Sequence, residues 1–292
     1  MKKVTVITPF YKGNSFLKNL SEMVEKNAQN LKAKFPDFSL EHIIVNDCPD
    51  SELDTSLLSE GANTTVINHE KNGGIHAARV TGLKNSDGEI ILFLDQDDVI
   101  TDDAVVSQLE KMGDADVIVS NAYLENEDKS LTKLYPTKYR FNKVKRLEIY
   151  AKTHNQIVSP GHCLIKRSAI PSEWIDNVMS INGADDLFLW VLMLSKNCKF
   201  VLNDEVVYTH KHTGANLSSE GVKMSVSTLE IIDFLKKTPY VSRECISAIE
   251  RSRQMQIKIA QSGKLKKLLT AAIYPDIILP AVFWKAQNYF RK

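Results

Sequence analysis

Long apolar runs are absent from this sequence of 292 residues. A membrane-spanning helix needs about 20 consecutive apolar residues, and no stretch of this sequence approaches that length. Near the amino terminus the apolar run Val4–Thr8 follows two lysines and ends at Pro9, which makes it too short for the core of a secretion signal. We interpret this run as a first buried strand and expect a cytoplasmic protein.

Cysteine is scarce, and charge of one sign is not in excess. The four cysteines (Cys48, Cys163, Cys198 and Cys245) show no paired spacing. Zinc sites use closely spaced Cys or His pairs, so this scatter indicates reduced structural thiols. The formal net charge of +1 provides no whole-protein field for nucleic acid, and no nucleic-acid partner is expected. A hydrophobic share of 43% is ordinary for a soluble globular protein.

What is present in the first half is an alternation of short apolar strands and helical patterns. The predicted strands are Val4–Thr8, Ile43–Val45, Thr64–Ile67, Ile90–Leu94 and Val117–Val119. Helical patterns occupy Ser15–Lys34 and the segment after Asn72, and Thr101 has the features of an N-cap for a third helix. This alternation predicts an α/β fold, with a mainly parallel sheet and helices on both faces.

Ligands of such sheets bind beyond the carboxyl ends of the strands. Three predicted strands end in residues that suit a binding site: Thr8–Tyr11, Asn46-Asp47 and Asp95–Asp98. We expect these segments to converge on one edge of the sheet, which makes that edge the candidate binding site.

The second half begins with a polar region, Asn121–Asn155, in which we expect loops and a short helix. Further strands are predicted at Cys163–Ile165, Lys199–Leu202 and Val206–Tyr208, and helices at Ala184–Leu194, Val222–Lys237 and Ser242–Gln261.

The last segment, Lys258–Lys292, differs from the rest in composition. It has seven basic residues against one acidic residue, a net charge of +6, and its aromatic residues lie among Ile and Leu. Two interpretations stay open: an interfacial helix on an anionic bilayer, or a C-terminal helix packed on the domain with its lysines in water.

The acidic segment Asp95-Gln96-Asp97-Asp98 follows the most apolar strand. Three adjacent carboxylates repel one another unless a cation lies among them. Mn²⁺ or Mg²⁺ prefers carboxylate oxygens together with substrate phosphates. The segment therefore predicts a site for a metal–diphosphate complex.

The acidic segment has three other interpretations: a solvated turn, a calcium loop and a phosphatase site. A solvated acidic turn needs fewer than three acids. A calcium loop is excluded, because Ile100 and Val106 stand where Gly and Glu are required. The spelling Asp95–Val99 also fits a metal-dependent phosphatase with Asp95 as nucleophile, although such enzymes carry the string on their first strand and here at least three strands precede it.

Several segments together resemble the family 2 glycosyltransferases, which have the GT-A fold. The segments are Val4–Tyr11, Ile43–Asp47, Asn72–Arg79 with Gly82-Leu83, Gly88–Asp98, Gly183–Trp190 and Tyr208–Ser218. Their order and spacing carry the resemblance, which spans about residues 4–218. It implies a GT-A type, Rossmann-like fold and an inverting transfer from a nucleotide-sugar donor. It also implies that a base and a metal ion, held by separate segments, assist the transfer.

The resemblance also implies roles for individual residues. Asp97 is expected to hold the metal, assisted by Asp98 and by His212, with Mn²⁺ or Mg²⁺ as cofactor. Asp186 is expected to be the catalytic base. Asp185 and His162 are expected to bind the acceptor.

On the donor side, the resemblance implies that Asp47 accepts a hydrogen bond from the nucleobase, that Tyr11 stacks on the base and that Arg79 reaches the phosphate or ribose. The remaining residues expected to bind the nucleotide sugar are Thr8, Pro9, Gly74, Asp95 and Gln96.

The sequence thus predicts a GT-A domain over residues 1–220, with a nucleotide-binding half (1–120) and an acceptor half (121–220), followed by a helical extension (221–292). The expected function is sugar transfer from a UDP-sugar to a glycan or lipid-linked acceptor in bacterial surface polysaccharide synthesis. The expected location is cytoplasmic, with peripheral contact of the inner membrane through the tail. A phosphatase and a non-catalytic nucleotide-sugar or glycan-binding protein stay as alternatives.

Overall fold

The computed structural model describes residues 1–59, 61, 63–214, 221–262 and 272–290. The chain divides into two compact units. Unit 1 comprises residues 1–134, 159–170 and 198–214, and unit 2 comprises residues 135–158, 171–197 and 215–292. Both units are therefore discontinuous in the chain. The linear boundaries predicted from the sequence, at residues 120 and 220, define a different partition and stay a prediction.

Unit 1 contains a nine-stranded mixed sheet. Its strands are β1 (Lys2–Phe10), β2 (Phe38–Asn46), β3 (Thr64–Asn68), β4 (Ile90–Phe93), β5 (Val99–Ile100), β6 (Val117–Glu125), β7 (Leu131–Lys133), β8 (Cys163–Lys166) and β9 (Phe200–His210). The spatial order is β3-β2-β1-β4-β8-β6-β9-β5, and β7 pairs with β6. The helices of this unit are α1 (Asn14–Lys34), α2 (Gly74–Lys84) and α3 (Ala104–Met112).

The sheet is parallel over β3-β2-β1-β4, as the alternation of strands and helices predicts. Beyond β4 it is mixed, since β8 is antiparallel to both β4 and β6 while β9 is parallel to β6. The two strand patterns predicted at 199–202 and 206–208 belong to the single strand β9, whose register with β6 shifts near Asn121. A bulge accommodates the extra residues there without ending the strand.

Helix α1 shows how the sequence pattern produces packing. Its residues Leu17, Leu20, Val24 and Leu31 recur at helical spacing and are completely buried in the core of unit 1. Asn27 lies on the same face. Its buried side-chain amide donates to the Thr101 carbonyl at 2.9 Å and accepts from Val105 N at 3.0 Å. Helix α1 thereby fixes the chain that leaves the acidic segment.

The start of α3 corrects one sequence prediction. The N-cap position is held by Asp103, whereas Thr101 was the predicted cap. The Thr101 hydroxyl instead donates to Asp103 Oδ1 at 2.8 Å, and the Thr101 carbonyl accepts from Ala104 N. The prediction is wrong by two residues because the Thr101 hydroxyl is bonded to Asp103, and Val105 N, which a cap could bind, already donates to Asn27 Oδ1.

Unit 2 is helical in its described parts. Its helices are α4 (Lys138–Asn142), α5 (Leu147–Lys152), α6 (Ser172–Asp176), α7 (Asp185–Ser195), α8 (Gly221–Lys236), α9 (Arg243–Ala260) and α10 (Pro275–Phe290). Helix α7 is the centre of the unit, because every residue over 187–193 is buried. Of the helices in the described ranges, none has the length and hydrophobicity required to cross a bilayer.

The tail is partly described. One side of α10 packs within unit 2, where Tyr274 and Ile277 join Met255 in a small apolar cluster. Residues 263–271 and 291–292 of the basic segment, including Lys264, Lys266 and Lys267, lie outside the described residues. The packed side agrees with the interpretation of the tail as a helix packed on the domain. The other side of α10 is exposed at Leu279, Val282 and Phe283.

Candidate active site

The carboxyl ends of β1, β2 and β4 meet at one edge of the sheet in unit 1, because the three strands are parallel neighbours. The backbone already links their extensions there. Asp47 N donates to the Phe10 carbonyl at 2.8 Å, and Leu94 N donates to the Ile7 carbonyl at 3.0 Å. The segments that follow the three strands are therefore neighbours, and the acidic segment Asp95–Asp98 lies among them.

Asp98 is buried and anchors the end of β9. Its carboxylate accepts hydrogen bonds from the Tyr208 hydroxyl and, at 2.9 Å, from Lys211 N. His210 Nδ1 lies 3.1 Å from Asp98 Oδ1. Burial lowers the pKa of His210, but the hydrogen bond and the charge of Asp98 outweigh that effect and raise it. Both oxygens of Asp98 are thus engaged by its own chain.

Asp95 forms an ion pair with Arg79. Arg79 Nη2 lies 2.5 Å from Asp95 Oδ1, and the Ser159 hydroxyl lies 3.4 Å from Oδ2. The guanidinium is buried and stands 6.0 Å from the centre of the Phe93 ring. Arg79 is therefore not a solvated helix residue, and its removal would take a cationic partner from the partly buried Asp95 carboxylate.

Asp97 differs from both of its acidic neighbours. It is half-buried, and across the part of the chain that the structure describes no other side chain hydrogen-bonds to it. Burial, followed by the charges of Asp98 and Asp95, raises the pKa of Asp97 to about 6. A cation beside this carboxylate would offset both causes.

No group of three or more His, Cys, Asp or Glu side chains within the described ranges is already arranged around a metal position. Mg²⁺ and Mn²⁺ bind through one or two carboxylates and complete their coordination with water and substrate phosphates. A single available carboxylate that is repelled by two others fits that mode of binding. Asp97 is the residue of the segment that would hold the cation.

Gln96 joins the acidic segment to the loop after β1. Its amide oxygen accepts from Tyr11 N at 2.9 Å, and its amide nitrogen donates to the Tyr11 carbonyl at 3.1 Å. A Cβ at Gly13 would lie 2.3 Å from Gln96 Oε1, so a side chain at that position would displace the Gln96 amide. The Tyr11 ring remains 48% exposed, as a side chain that stacks on a ligand must be before binding.

Replacing Gln96 with leucine should free this loop. We expect the KM for the donor to rise by up to about thirtyfold, because two hydrogen bonds of about 1 kcal/mol each are lost, while kcat changes less. Steady-state kinetics with the donor varied would measure both constants. Gln29→Leu, an exposed change on α1, serves as the control. Unchanged donor KM in Gln96→Leu would contradict a role for the amide in positioning Tyr11.

Asp47 holds the start of α2. Its carboxylate accepts from Gly73 N at 2.7 Å and from Gly74 N at 2.8 Å, and Gly74 has a positive φ of 85°. His69 Nδ1 lies 2.8 Å from Asp47 Oδ1, and His69 Nε2 lies 2.8 Å from Thr81 Oγ1. A carboxylate at a helix N-terminus is favourable. Contact of Asp47 with a nucleobase stays a prediction.

His69 was missed by the sequence reasoning. The available signal was its place directly after β3, at the same edge of the sheet as Asp47.

Two of the residues predicted to bind the donor, Thr8 and Pro9, are less accessible than a contact with a ligand requires. Thr8 is buried with its hydroxyl 3.0 Å from His42 Nε2, and Pro9 is buried in β1.

The structure separates the histidines that the sequence singled out. His210, and not the favoured His212, contacts Asp98. The His212 carbonyl accepts from Lys129 Nζ at 3.3 Å. His162 is buried with Nδ1 2.7 Å from the Ser120 carbonyl, and burial lowers its pKa to about 4. The metal role of His212 and the acceptor role of His162 stay predictions. Residues 215–218 of the late segment lie outside the described residues.

In unit 2, Asp185 and Asp186 occupy the first turn of α7, as predicted. Asp186 Oδ2 accepts from Asn155 Nδ2 at 2.8 Å, and Oδ1 accepts from Leu187 N at 2.6 Å. Asp185 is buried, and its carbonyl accepts from Trp174 Nε1 at 2.8 Å. Asn155 is a second residue that sequence reasoning missed, because it lies in the region that was expected to be irregular.

The fold is that of an α/β protein with a partly parallel sheet, a class in which ligands bind beyond the carboxyl ends of the strands. The model described as Glycosyl transferase family 2 matches residues 5–172, more than half of the chain, and the chain belongs to this family. The resemblance seen in the sequence is thereby confirmed. The matched range includes the acidic segment and ends before Asp185 and Asp186.

Two curated relatives illustrate the similarity. An uncharacterized glycosyltransferase of Rickettsia felis is 25% identical over 178 residues, which are 60% of this chain and 28% of the relative. The minor teichoic acid biosynthesis protein GgaB of Bacillus subtilis is 23% identical over 214 residues, 71% of this chain and 23% of the relative. The chain thus spans less than a third of the length of these relatives.

Solved structures share the fold. S. aureus TarS 1–349 in complex with UDP-GlcNAc has a TM-score of 0.55 at 18% identity, covering 88% of this chain and 71% of TarS. The mannosyltransferase PcManGT of Pyrobaculum calidifontis, in complex with GDP-Man and Mn²⁺, has a TM-score of 0.51 at 16% identity. The match covers 98% of this chain and 84% of PcManGT. The fold class predicted from the sequence, a GT-A type sheet with flanking helices and a helical C-terminal region, is confirmed.

Proposed function

We propose that this chain is an inverting, metal-dependent glycosyltransferase that moves a sugar from a UDP-sugar to a hydroxyl group of a glycan or lipid-linked acceptor in bacterial surface polysaccharide synthesis. The observation that carries the proposal is that the three carboxylates of the acidic segment in unit 1 differ in their partners. Asp95 and Asp98 are engaged by Arg79, Tyr208 and Lys211, while Asp97 is available. Such a segment suits a cation bound together with a diphosphate.

The donor side of the mechanism rests on unit 1. When bound, Mn²⁺ or Mg²⁺ would supply positive charge to the diphosphate that leaves. Asp97 would hold the cation, and Asp98 would fix the end of β9 beside it. Tyr11 would stack on the base, in the orientation that Gln96 imposes on its loop. Preorganised groups of this kind act without rearrangement during the reaction.

The acceptor side rests on unit 2. A hydroxyl group is weakly acidic and needs a base to become a nucleophile. We assign this task to Asp186, which would take the proton as the oxygen attacks the anomeric carbon and the nucleoside diphosphate departs. The side-chain amide of Asn155 holds one Asp186 oxygen at 2.8 Å and so limits its orientation. Asp185 stays assigned to the acceptor, as does His162, which belongs to unit 1.

The comparisons support the substrate classes without defining them for this chain. GgaB is named for minor teichoic acid biosynthesis, and the TarS structure contains UDP-GlcNAc. The Mn²⁺ of PcManGT supports the choice of metal. A phosphatase is disfavoured, because family membership argues against it and Asp95, its required nucleophile, is paired with Arg79.

A panel of nucleotide sugars tests the proposal. Thermal unfolding would be followed with each ligand, with and without Mn²⁺, because a ligand that binds the folded state at about 100 times its Kd stabilises it by about 2.7 kcal/mol. We expect a UDP-sugar to raise the Tm only when Mn²⁺ is present, and slow donor hydrolysis to accompany binding. Stabilisation by no member of the panel would overturn the proposal, and binding without turnover on any acceptor would favour a non-catalytic binding protein.

A further inference from the structure

Helix α10 of unit 2 has an exposed apolar stripe. Leu279, Val282 and Phe283 are 67%, 59% and 59% exposed, respectively. Their spacing of three and four residues places them on one face of the helix. The opposite face packs within the unit through Ile277 and Trp284, which are buried. The stripe is therefore not needed for the packing of α10.

A basic segment lies against the same helix. The nine residues 138–146 include Lys138, Arg140, Lys143, Lys145 and Arg146 and contain no acid. Three contacts join this segment to α10. Lys143 Nζ donates to the Trp284 carbonyl at 3.1 Å, the Arg146 guanidinium stands 5.8 Å from the centre of the Trp284 ring, and the Tyr139 hydroxyl donates to Gln287.

Exposed apolar residues beside a cluster of cations are the pattern of a surface that rests on an anionic bilayer. The apolar side chains enter the boundary between headgroups and acyl chains, and the cations are attracted to acidic lipids within about one Debye length. Lys138 and Lys145 are exposed and so are accessible to lipid headgroups.

A second copy of the chain would match this surface less well. In a two-fold dimer the same patch meets itself, so the two basic segments would be brought together. Like charges across an interface oppose association. The combination of apolar stripe and basic segment therefore favours an anionic lipid surface over self-association.

We propose that unit 2 docks on an anionic membrane surface through Leu279, Val282 and Phe283, with the basic segment 138–146 contacting the lipid headgroups. This deepens the proposed function, on which its biological sense rests, because a lipid-linked acceptor is presented at such a surface. Docking itself requires no catalysis and is measured independently of it.

The experiment is sedimentation of the full-length protein with vesicles of phosphatidylcholine alone or mixed with phosphatidylglycerol. We expect the protein to pellet with the mixed vesicles and to be released by high salt. The double variant Leu279→Ser/Phe283→Ser should bind at least about tenfold more weakly, because it loses several buried methylene equivalents. Lys138→Ser/Lys145→Ser should weaken binding to mixed vesicles and lessen its salt dependence.

Matched controls keep the test decisive. Leu131→Ser changes a residue of unit 1 that is 51% exposed and should leave pelleting unchanged. Equal Tm values for the wild type and the stripe variant would show that folding is intact. Equal pelleting of those two proteins, or no pelleting of the wild type, overturns the proposal. A stripe variant that converts a dimer to a monomer in lipid-free ultracentrifugation also overturns it and identifies a second copy as the occupant.

Failure of docking and failure of the proposed function give different results. If docking is wrong, stabilisation by a UDP-sugar and Mn²⁺ persists while vesicle binding is absent. If the proposed function is wrong, vesicle binding persists and responds to the stripe variant while no nucleotide sugar stabilises the protein.

Discussion

Asp97→Asn is expected to lower sugar transfer by about 10²–10³-fold, because the substitution removes the one charge of the acidic segment that is available to a cation at the diphosphate. Asparagine has nearly the same size, so the surrounding packing should be preserved. Initial rates at saturating donor and acceptor, over a series of Mn²⁺ concentrations, would measure the loss. The Tm gain that Mn²⁺ and donor give the wild type should also disappear.

The same substitution should make the metal-free protein more stable at neutral pH. Folding raises the pKa of Asp97 from 3.8 to about 6, so the folded state favours the protonated carboxyl. Stability therefore falls as the pH rises through that window, and the loss remains above it. Asparagine carries no charge, and we expect a gain of about 1–2 kcal/mol at pH 7, reduced by the partial exposure of the site. The two proteins should differ little below about pH 4.

Asp98→Asn provides the matched control for Asp97→Asn. This carboxylate accepts from Tyr208 and Lys211 and is buried, so its replacement should destabilise the fold by about 1–3 kcal/mol. The two neighbouring substitutions are thus expected to change stability in opposite directions. Full transfer activity in Asp97→Asn, or activity of the wild type in excess chelator, would rule out the metal role of Asp97.

Asp186→Asn is expected to reduce kcat by about 10²–10⁴-fold, the usual contribution of a positioned base. Donor binding should be unaffected, because Asp186 is assigned to the proton of the acceptor hydroxyl. Single-turnover rates would report the transfer step, and the Tm gain with donor and Mn²⁺ would report binding. Loss of transfer together with retained donor binding distinguishes a base from a residue that is needed for folding.

The control for Asp186 is Asp233→Asn in the same unit, whose side chain is 81% exposed. It should leave both transfer and donor binding unchanged. Asn155→Ala should keep part of the activity, since it removes the amide that orients Asp186 and leaves the carboxylate in place. Unchanged turnover in Asp186→Asn would eliminate it as the base and direct attention to Asp185.

Local patterns predicted the elements around the candidate site well. The apolar runs at Val4–Thr8 and Ile90–Leu94 are strands β1 and β4, and the periodic segment Ser15–Lys34 is helix α1 within one residue. Such patterns report burial along a single element and are read from neighbouring residues. The prediction failed at Thr101, because a distant side chain, Asn27, accepts from Val105 N, one of the backbone groups that a local cap would bind.

The candidate site was predicted less completely, because residue type does not show which partners are taken. His212 and His210 have equal standing two positions apart in the sequence, yet His210 contacts Asp98. Arg79 is indistinguishable from a solvated helix arginine until its contact with Asp95 is seen. His69 and Asn155 carry no motif, and only their contacts with Asp47 and Asp186 bring them into the account.

The sequence by itself determined the family, the order of strands and helices, and the position of three carboxylates directly after a buried strand, since each of these depends on covalent order and local periodicity. Only the tertiary structure decided which of the three carboxylates is available. The partners that engage Asp95 and Asp98 are separated from them by 16 residues for Arg79 and by 110 for Tyr208. Contacts over such distances form when the sheet assembles, and they leave Asp97 as the carboxylate that we propose for the cation.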